Sequence, residues 1–210
     1  MKKNIAIVDY GLGNILSAKQ SFVKASEDNK IKAAVKITND PKEIDLATHI
    51  VLPGQGAFEA CMLGLKNIPD MIDRLCANVI HNKKPFLGIC VGMQLLANTS
   101  YENGKHKGLG WIRGEIKKIP STGIKLPHMG WNEVTITNKN KLINLSVLKN
   151  YYFVHSYYFD CKYSTNQIGR TNYGIDFASF ISKENIYGVQ FHPEKSSNQG
   201  LEIIKNFLML

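Results

Sequence analysis

The sequence predicts an α/β fold, with a mostly parallel central sheet flanked by helices and a second half built mainly of strands. In the first half, short apolar strand signals alternate with helical segments, which is typical of a parallel sheet covered by helices. From Trp111 onward, one strand signal follows another until a final helix. The chain has 210 residues, 44% of them apolar, which suffices for one sizeable core and is short for two. We therefore expect residues 1–210 to form one domain.

The first half contains four strand signals, each an apolar run bounded by polar or glycine-rich residues. The predicted strands are Asn4–Tyr10, Ala33–Ile37, His49–Leu52 and Pro85–Ile89. Helical segments are predicted at Asn14–Asp28, Gly56–His81 and Val91–Ala97. This alternation predicts that the strands run parallel, with the helices packed on the faces of their sheet.

The second half is predicted to be rich in strands. Its strand signals are Trp111–Ile116, Val134–Ile136, Tyr151–Asp160, Asp176–Ser182 and Asn185–Phe191, and the last helix is Asn198–Met209. The sequence contains no internal repeat and no low-complexity segment. We expect this arrangement to bring Cys90 and His192, which follow two of the strands, together across one edge of the sheet.

A cysteine between two glycines follows the strand at 85–89. Cys90 lies between Gly88 and Gly92, where that strand meets the helix at 91–97, and this predicts a sharp strand-to-helix turn. A Cβ at either glycine would collide with neighbouring backbone in such a turn. The turn exposes the thiol, and the helix N-terminus favours its reactive thiolate form. By itself the pattern also fits a buried structural cysteine, which is the commoner role of a free thiol.

A histidine and a glutamate follow the strand signal at 185–191. Pro193 excludes helical backbone at His192, and side chains two apart on an extended segment share a face, so His192 and Glu194 are expected to lie together. A histidine that accepts the thiol proton and a carboxylate that orients the histidine complete the set needed for nucleophilic catalysis with Cys90. Alone, this tripeptide is typical of a surface turn, and only its combination with Cys90 indicates a site.

A glycine-rich loop, Pro53–Phe58, follows the strand at 49–52 and offers backbone N–H groups. Gly54 and Gln55 of this loop, together with the N–H of Val91, are predicted to form an oxyanion hole for a tetrahedral intermediate. Gln94 lies one helical turn after Cys90 and is therefore expected on the same face, in reach of a substrate. An ordinary turn and an exposed helix residue are the alternatives for the loop and for Gln94.

The formal net charge of +9 raises the question of nucleic-acid binding, which the distribution of the charges disfavours. Lysines are scattered singly and in pairs, and arginine occurs only at positions 74, 113 and 170. A basic stripe with interleaved aromatic residues is missing from the sequence. We therefore predict a solvated, lysine-rich surface and no nucleic-acid partner.

The sequence predicts neither secretion nor a membrane partner. Asp9 interrupts the only apolar run near the start, and no segment approaches the length of a membrane span. The four cysteines are Cys61, Cys76, Cys90 and Cys161. They have neither paired zinc spacing nor a disulfide framework, so we expect no metal site and a protein of the reducing cytoplasm. Leu16 occupies the third glycine position of a dinucleotide fingerprint that would begin at Gly11, which disfavours a nicotinamide or flavin cofactor.

Several segments match the motifs of one known family. The segments Gly88–Gln94 and His192–Glu194 resemble the motifs of the class I, triad-type glutamine amidotransferases. Within that class the chain is similar to the glutaminase subunits of imidazole glycerol phosphate synthases. The segments that carry this closer resemblance are Val8–Asn14, Pro53–Phe58, Pro127–Asn132, Tyr152–Tyr157 and Gly188–Ser196. The resemblance covers nearly the whole chain and implies a single-domain fold of the amidotransferase type.

The resemblance also implies roles for individual residues. It implies a catalytic triad of Cys90, His192 and Glu194. It implies that glutamine is held by Gln94, Glu102 and the backbone at Gly54, His155, Ser156 and Tyr157. It implies that a synthase partner docks at or near Asn14, His128, Met129, Trp131, Asn132, Tyr152 and Lys195.

The activity implied by the resemblance is hydrolysis of L-glutamine through a cysteine thioester, with no metal or organic cofactor. The ammonia would pass to a cyclase subunit, the partner in a heterodimer, which makes imidazole glycerol phosphate and an aminoimidazole carboxamide ribonucleotide for histidine biosynthesis. Three alternatives remain open at this stage. They are an amidotransferase subunit that serves another acceptor, a free-standing cysteine hydrolase, and a non-enzymatic protein with a relict site.

Overall fold

Thirteen strands and six α-helices follow one another in the part of the chain that the computed structural model describes, residues 2–143 and 149–210. The strands are β1 (Lys3–Val8), β2 (Ala33–Thr38), β3 (His49–Gly54), β4 (Phe86–Cys90), β5 (Thr99–Ser100), β6 (His106–Lys107), β7 (Gly114–Lys118), β8 (His128–Ile136), β9 (Lys149–His155), β10 (Tyr157–Cys161), β11 (Gln167–Tyr173), β12 (Ile175–Lys183) and β13 (Ile186–Val189). The helices are α1 (Ile15–Asp28), α2 (Pro41–Leu46), α3 (Phe58–Lys66), α4 (Met71–Cys76), α5 (Val91–Gln94) and α6 (Ser197–Leu208). Within the described ranges, none of the helices has the length and apolar character needed to cross a membrane.

Five parallel strands form the core of one large sheet, in the spatial order β2-β1-β3-β4-β13. Helices cover this core, with α1 packed against α6 and α4 packed against α2 and α3. Strands covered on both faces must be apolar throughout, and every residue of β3 and β4 is buried. Because parallel strands end at the same edge of a sheet, the carboxyl ends of β3, β4 and β13 lie side by side.

The strand β12 joins this core to the strand-rich second half. It pairs antiparallel with β13, and it also pairs with β10 and β11. One branch of the sheet continues from β10 through β7 to β5 and β6, and the other runs from β11 to β8 and β9. The predicted fold class, a mostly parallel sheet flanked by helices with a second half rich in strands, is confirmed.

The predicted helix at Gly56–His81 is wrong as a single element. It is divided into α3 and α4 by a turn that contains Pro69, which cannot donate a helical hydrogen bond. Asp70, in the same turn, adopts left-handed backbone with φ of 61°. After α4 the chain continues through one π-helical turn at Ala77–His81. The predicted helix at Val91–Ala97 is also too long, since α5 ends at Gln94.

Four elements were missed, namely the helix α2 and the strands β5, β6 and β11, and one predicted strand is divided. The helix α2 begins with Pro41 after Asp40, whose carboxylate accepts a hydrogen bond from the N–H of Lys42, so a capping pattern was present in the sequence. The strand β11 was missed because its polar residues give no strand signal, although it pairs on both sides. The predicted strand Tyr151–Asp160 is divided at Ser156 into β9 and β10.

Candidate active site

Cys90 lies at a strained turn between β4 and α5. Its backbone has φ of 54° and ψ of −112°, a combination that residues with a side chain rarely adopt. Such strain persists only where the surrounding structure enforces it, and it is common at functional sites. The predicted strand-to-helix turn at Cys90 is therefore present, with the thiol at the carboxyl edge of the central sheet.

The glycines on either side of Cys90 allow this turn to pack closely. A Cβ on Gly92 would lie 1.8 Å from the carbonyl oxygen of Leu52 in β3, and a Cβ on Gly88 would lie 2.6 Å from the carbonyl oxygen of Gly92. Both distances are far below any real contact, so the two positions accept only glycine. The predicted collision is confirmed, and the lack of a Cβ at Gly92 lets α5 pack against the end of β3.

The short length of α5 changes one predicted feature. The sequence predicted that the dipole of a helix spanning residues 91–97 would favour the Cys90 thiolate. Since α5 contains only four residues, Val91–Gln94, the aligned peptide dipoles behind Cys90 are few. Activation of the thiol therefore depends on side chains in its neighbourhood.

His192 and Glu194 form a buried pair. Nδ1 of His192 lies 2.7 Å from Oε1 of Glu194, and the two side chains are 5% and 4% exposed. His192 has extended backbone, as Pro193 predicts, but Pro193–Lys195 is a 3-10 turn. The predicted shared face of an extended segment is therefore wrong as the cause of the pairing. The turn brings the carboxylate back to the ring instead.

The second ring nitrogen of His192 is left for Cys90. Within the described part of the chain, Nε2 of His192 is buried and makes no hydrogen bond. Burial lowers the pKa of His192, but the neighbouring Cys90 sulfur and the Glu194 carboxylate outweigh it and raise the pKa well above its ordinary value. An imidazole with a raised pKa, next to a thiol and held by a carboxylate, is suited to accept and return a proton.

Cys90 and His192 open into one cavity of about 190 Å³. It has room for a molecule the size of several waters, each of which fills roughly 30 Å³. Its lining residues are Gln55, Gly56, Cys90, Val91, Gln94, Glu102, Val154, His155, Ser156 and His192. The structure thus brings together, from five separate segments, most of the predicted catalytic, oxyanion and glutamine-holding residues. Gly54, Tyr157 and Glu194 do not line the cavity, but each contacts or pairs with a residue that does: Cys90, Gln94 and His192, respectively.

The glycine-rich loop is held beside Cys90 by two residues that sequence reasoning missed. The Tyr10 hydroxyl donates a hydrogen bond of 2.7 Å to the carbonyl of Pro53, and the Cys61 thiol lies 3.6 Å from the carbonyl of Gln55. Burial raises the pKa of Tyr10, and it raises the pKa of Cys61 to about 11, so both groups stay protonated donors at neutral pH. Both carbonyls therefore have a fixed partner.

Gly54 forms the contact between this loop and the nucleophile. It lies opposite Cys90 in the pairing of β3 with β4, and a Cβ on Gly54 would lie 2.5 Å from the backbone nitrogen of Gly92. The loop can approach the turn this closely only because residue 54 is glycine. Gln55 and Val91, the other two predicted oxyanion residues, both line the cavity.

The predicted glutamine-holding side chains also have partners within the protein. The amide nitrogen of Gln94 donates 3.0 Å hydrogen bonds to the carbonyl of Tyr157 and to Oε1 of Gln190. Oε2 of Glu102 accepts a 2.7 Å hydrogen bond from the N–H of Phe58, so Glu102 caps α3 from a distant loop. Gln190 was missed because a glutamine after a strand carries no distinctive pattern.

The predicted docking residues divide into a surface group and a buried one. Met129 and Trp131 on β8 are 61% and 53% exposed, and Trp131 lies opposite Tyr152 on β9. The ammonium group of Lys195 lies 5.9 Å from the centre of the Tyr152 ring. These four residues are named the β8–β9 surface below. His128 is only 2% exposed and lies beneath this surface rather than on it.

The two remaining docking residues lie at separate places. Asn132 is half-buried on β8 and donates a hydrogen bond to the carbonyl of Asn172. Asn14 precedes α1 at its N-cap position, and its side chain makes no capping hydrogen bond there. Asn14 belongs to the opposite half of the chain from β8 and β9, in the loop that follows β1.

Sequence comparisons agree with this arrangement. The sequence model of the family described as "Glutamine amidotransferase class-I" matches residues 6–210. The chain is 47% identical over 206 residues to "Imidazole glycerol phosphate synthase subunit HisH 2" of Methanococcus maripaludis, covering 97% of this chain and 98% of the relative. It is 43% identical over 210 residues to "Imidazole glycerol phosphate synthase subunit HisH" of Pelagibacter ubique, covering 99% and 100%.

Structural comparisons support the fold. A crystal structure titled as a glutamine amidotransferase aligns with a TM-score of 0.72 at 14% identity, covering 98% of this chain and 99% of the other. A second, a glutamine amidotransferase from Thermotoga maritima, aligns with a TM-score of 0.62 at 17% identity, covering 92% and 77%. At such low identity the likeness concerns the fold alone.

Proposed function

The chain belongs to the class-I glutamine amidotransferases and, within them, to the family of HisH subunits of imidazole glycerol phosphate synthase, and from this premise we propose a mechanism for its glutaminase reaction. Cys90 attacks the side-chain amide of glutamine, and His192 delivers a proton to the departing ammonia. A thioester between Cys90 and the glutamyl group remains. Water activated by His192 then releases glutamate, so that one glutamine and one water give one glutamate and one ammonia.

The buried His192–Glu194 pair is the observation that supports this mechanism most. Because Nδ1 is occupied by Glu194 at 2.7 Å, only Nε2 is left to exchange protons in the cavity that Cys90 shares. The carboxylate also stabilises the imidazolium that forms when the thiol loses its proton. In the described ranges, neither side chain makes another hydrogen bond within the protein that would give the pair a purely structural purpose.

We assign the oxyanion hole to backbone N–H groups at Val91 and in the Gly54–Gln55 loop. Val91 follows Cys90 directly, and Gln55 lines the same cavity. Preorganised N–H groups at this place stabilise the negative charge on the tetrahedral intermediate, usually the largest electrostatic contribution to acyl transfer. Gln94, Glu102 and the backbone from His155 to Tyr157 would hold the amino-acid end of glutamine.

We propose that the partner is a cyclase subunit and that the two form a heterodimer. The relatives are named as subunits of imidazole glycerol phosphate synthase, and the β8–β9 surface exposes large apolar side chains of the kind that anchor interfaces. The ammonia would then be used to make imidazole glycerol phosphate and aminoimidazole carboxamide ribonucleotide. We also assign residues 1–210 to one domain that acts in the cytoplasm, where four free cysteines fit the reducing conditions.

Glutamate release tests this proposal. The purified chain would be assayed with L-glutamine alone, with a cyclase subunit from a related organism, and with that subunit plus its nucleotide ligand. We expect slow hydrolysis alone and stimulation of at least about 10²-fold in the loaded complex, the effect of completing one oxyanion donor. Stimulation by a different synthase would instead identify another acceptor. Rapid hydrolysis that no partner changes would indicate a free-standing hydrolase.

A further inference from the structure

Gln190 is a fully buried residue beside the nucleophile, and the mechanism above gives it no role. It follows β13 and is 0% exposed. Its amide nitrogen lies 3.7 Å from the sulfur of Cys90, within the range of an N–H···S hydrogen bond. The carbonyl of Val154 lies 3.9 Å from the same sulfur and can accept the proton of the neutral thiol. Gln190 is therefore a donor to the sulfur that persists when the thiol proton has gone.

The direction of the Gln190 amide follows from its neighbours. A backbone carbonyl only accepts, so the group of Gln94 that faces the carbonyl of Tyr157 at 3.0 Å must be its NH₂. The other N–H of that group then points to Gln190, at 3.0 Å, and requires an oxygen there. With its oxygen committed to Gln94, Gln190 presents its NH₂ to the sulfur. One carbonyl thus fixes two amides.

The same carbonyl also accepts a hydrogen bond from a buried histidine, which a second buried histidine orients. Nδ1 of His155 lies 2.9 Å from the carbonyl of Tyr157 and must donate to it, which leaves Nε2 of His155 as an acceptor. Nδ1 of His128 lies 2.9 Å from that Nε2 and donates to it. Nε2 of His128 then accepts from the amide of Asn132, at 3.1 Å. Each ring is therefore a neutral Nδ1–H tautomer.

Burial keeps both rings neutral. It lowers the pKa of His128 to about 4 and, together with the neighbouring His128, that of His155 to about 3. His128 is also stacked on Phe153 and Tyr173, which fixes the plane of its ring. Across the physiological range of pH, the chain of donors from Asn132 to Tyr157 therefore has one direction.

We propose that Gln190 donates a hydrogen bond that holds the sulfur of Cys90 for attack, in an orientation set through Gln94 by the carbonyl of Tyr157. His155 on β9 holds that carbonyl, and His128 and Asn132 on β8 orient the His155 ring. The inference adds a donor to the nucleophile and rests on the proposed function only for its consequence in glutamine hydrolysis. The hydrogen bonds themselves can be tested without glutamine.

Alkylation of Cys90 by iodoacetamide, followed by peptide mapping as a function of pH, tests the donor. A donor to sulfur stabilises the thiolate, which is the form that reacts. In Gln190→Met we expect alkylation of Cys90 to be about tenfold slower below its pH midpoint, with the midpoint moved to higher pH. Gln20→Met, on the exposed face of α1, is the matched control and should leave the profile unchanged. An unchanged profile in a folded Gln190→Met protein would overturn the proposal.

The variant Gln94→Met tests whether Gln94 acts through Gln190. Gln94 makes no hydrogen bond to the sulfur in the described structure, yet its loss should also slow the alkylation of Cys90. The double variant, with Met at both positions, should then react at the same rate as Gln190→Met alone, because Gln94 acts on the sulfur only through Gln190. Effects that multiply would show that Gln94 acts independently and would contradict the proposed orientation. Gln94→Met also provides the test if Gln190→Met does not fold.

The histidine part of the chain is tested by ¹⁵N NMR of the imidazole rings. We expect His128 and His155 to show protonated Nδ1 and unprotonated Nε2 at pH 7. A protonated Nε2 on either ring would break the sequence of donors and overturn this part of the proposal. Because neither NMR nor alkylation uses glutamine, a wild-type chain that hydrolyses no glutamine even with a loaded cyclase subunit would refute the proposed function and leave both results interpretable.

Discussion

Nδ1 of His192 lies 2.7 Å from Oε1 of Glu194, because the extended backbone at His192 is followed directly by the 3-10 turn that contains Glu194. The ring is also fixed through its main chain, because the N–H of His192 donates to the carbonyl of Tyr152 and the Ser196 hydroxyl donates to the carbonyl of His192. These bonds tie the turn after β13 to β9. The position of the base is therefore defined by its neighbours before any substrate binds.

His192→Ala is expected to reduce kcat for glutamine hydrolysis by about 10⁴, and Glu194→Gln by less. The histidine moves the protons, whereas the glutamate orients the ring and supports its charge. Because the Glu194 carboxylate raises the pKa of His192, Glu194→Gln should lower that pKa, which NMR titration of the ring would measure. Equal pKa values in wild type and variant would show that the carboxylate does not act on the ring.

Cys90→Ala is expected to abolish glutamine-dependent product while sparing the product that the assembled complex makes from ammonium salt. The substitution removes the nucleophile but leaves the partner's chemistry intact. Both activities are measured by product formation with each nitrogen source. Cys76→Ala, on α4 and away from the cavity, serves as the control and should retain both. Glutaminase activity that persists in Cys90→Ala would refute the assignment of the nucleophile.

The strain at Cys90 should appear in a comparison of glycine with alanine. Glycine adopts φ of 54° with ψ of −112° without steric cost, whereas alanine does not. We expect Cys90→Gly to be more stable than Cys90→Ala by about 1 kcal/mol in urea unfolding. At Cys76, which ends the helix α4, the order should be reversed by about 0.5–1 kcal/mol. The same order at both positions would show that the Cys90 turn is unstrained.

Local sequence was sufficient to locate the Cys90 turn and the histidine. The glycines around Cys90 and the proline after His192 restrict the backbone over a few residues, and such restrictions are visible without knowledge of the fold. The alternation of strands and helices was likewise sufficient for the parallel core. In contrast, no pattern indicated the left-handed backbone of Asp70 in the turn after α3, although Pro69 beside it was a visible signal for a break in the helix.

The partners of these residues could not be predicted, because they come from distant parts of the chain. Gln190 is 100 residues from Cys90, and Tyr10 is 43 residues from Pro53. Their contacts depend on the spatial order of the strands and on pairing register, and the order β3-β4-β13 brings together strands that are far apart in sequence. For the same reason, His128 could not be recognised as buried.

Acid should destabilise the protein through buried neutral histidines, and His49 allows one of them to be isolated. Burial lowers its pKa from 6.5 to about 4, so between these values the unfolded chain binds a proton that the folded chain does not. Stability therefore falls as the pH falls below 6.5, until the folded ring is protonated as well. From pH 7 to pH 5, His49 should account for a loss of about 2 kcal/mol.

The substitution His49→Phe keeps the edge-to-face contact with Phe207 and removes the titrating group. The decrease in unfolding free energy between pH 7 and pH 5 should therefore be smaller in this variant by that amount, as measured with urea. Since His128 and His155 are also buried, some acid sensitivity should persist. An identical decrease in wild type and variant would mean that His49 titrates normally in the folded protein.

The β8–β9 surface should determine the affinity for the cyclase partner. Exposed aromatic residues often dominate interface energies, so Trp131→Ala is expected to raise Kd by at least about tenfold, as measured by calorimetry. Lys195→Ala should have a smaller effect that weakens further with salt, because a charge at the rim acts mainly through long-range attraction. Leu46→Ala, on α2 and 67% exposed, is the control for loss of an exposed apolar side chain. If Leu46→Ala weakened binding while Trp131→Ala did not, the partner would dock on the α2 side of the sheet.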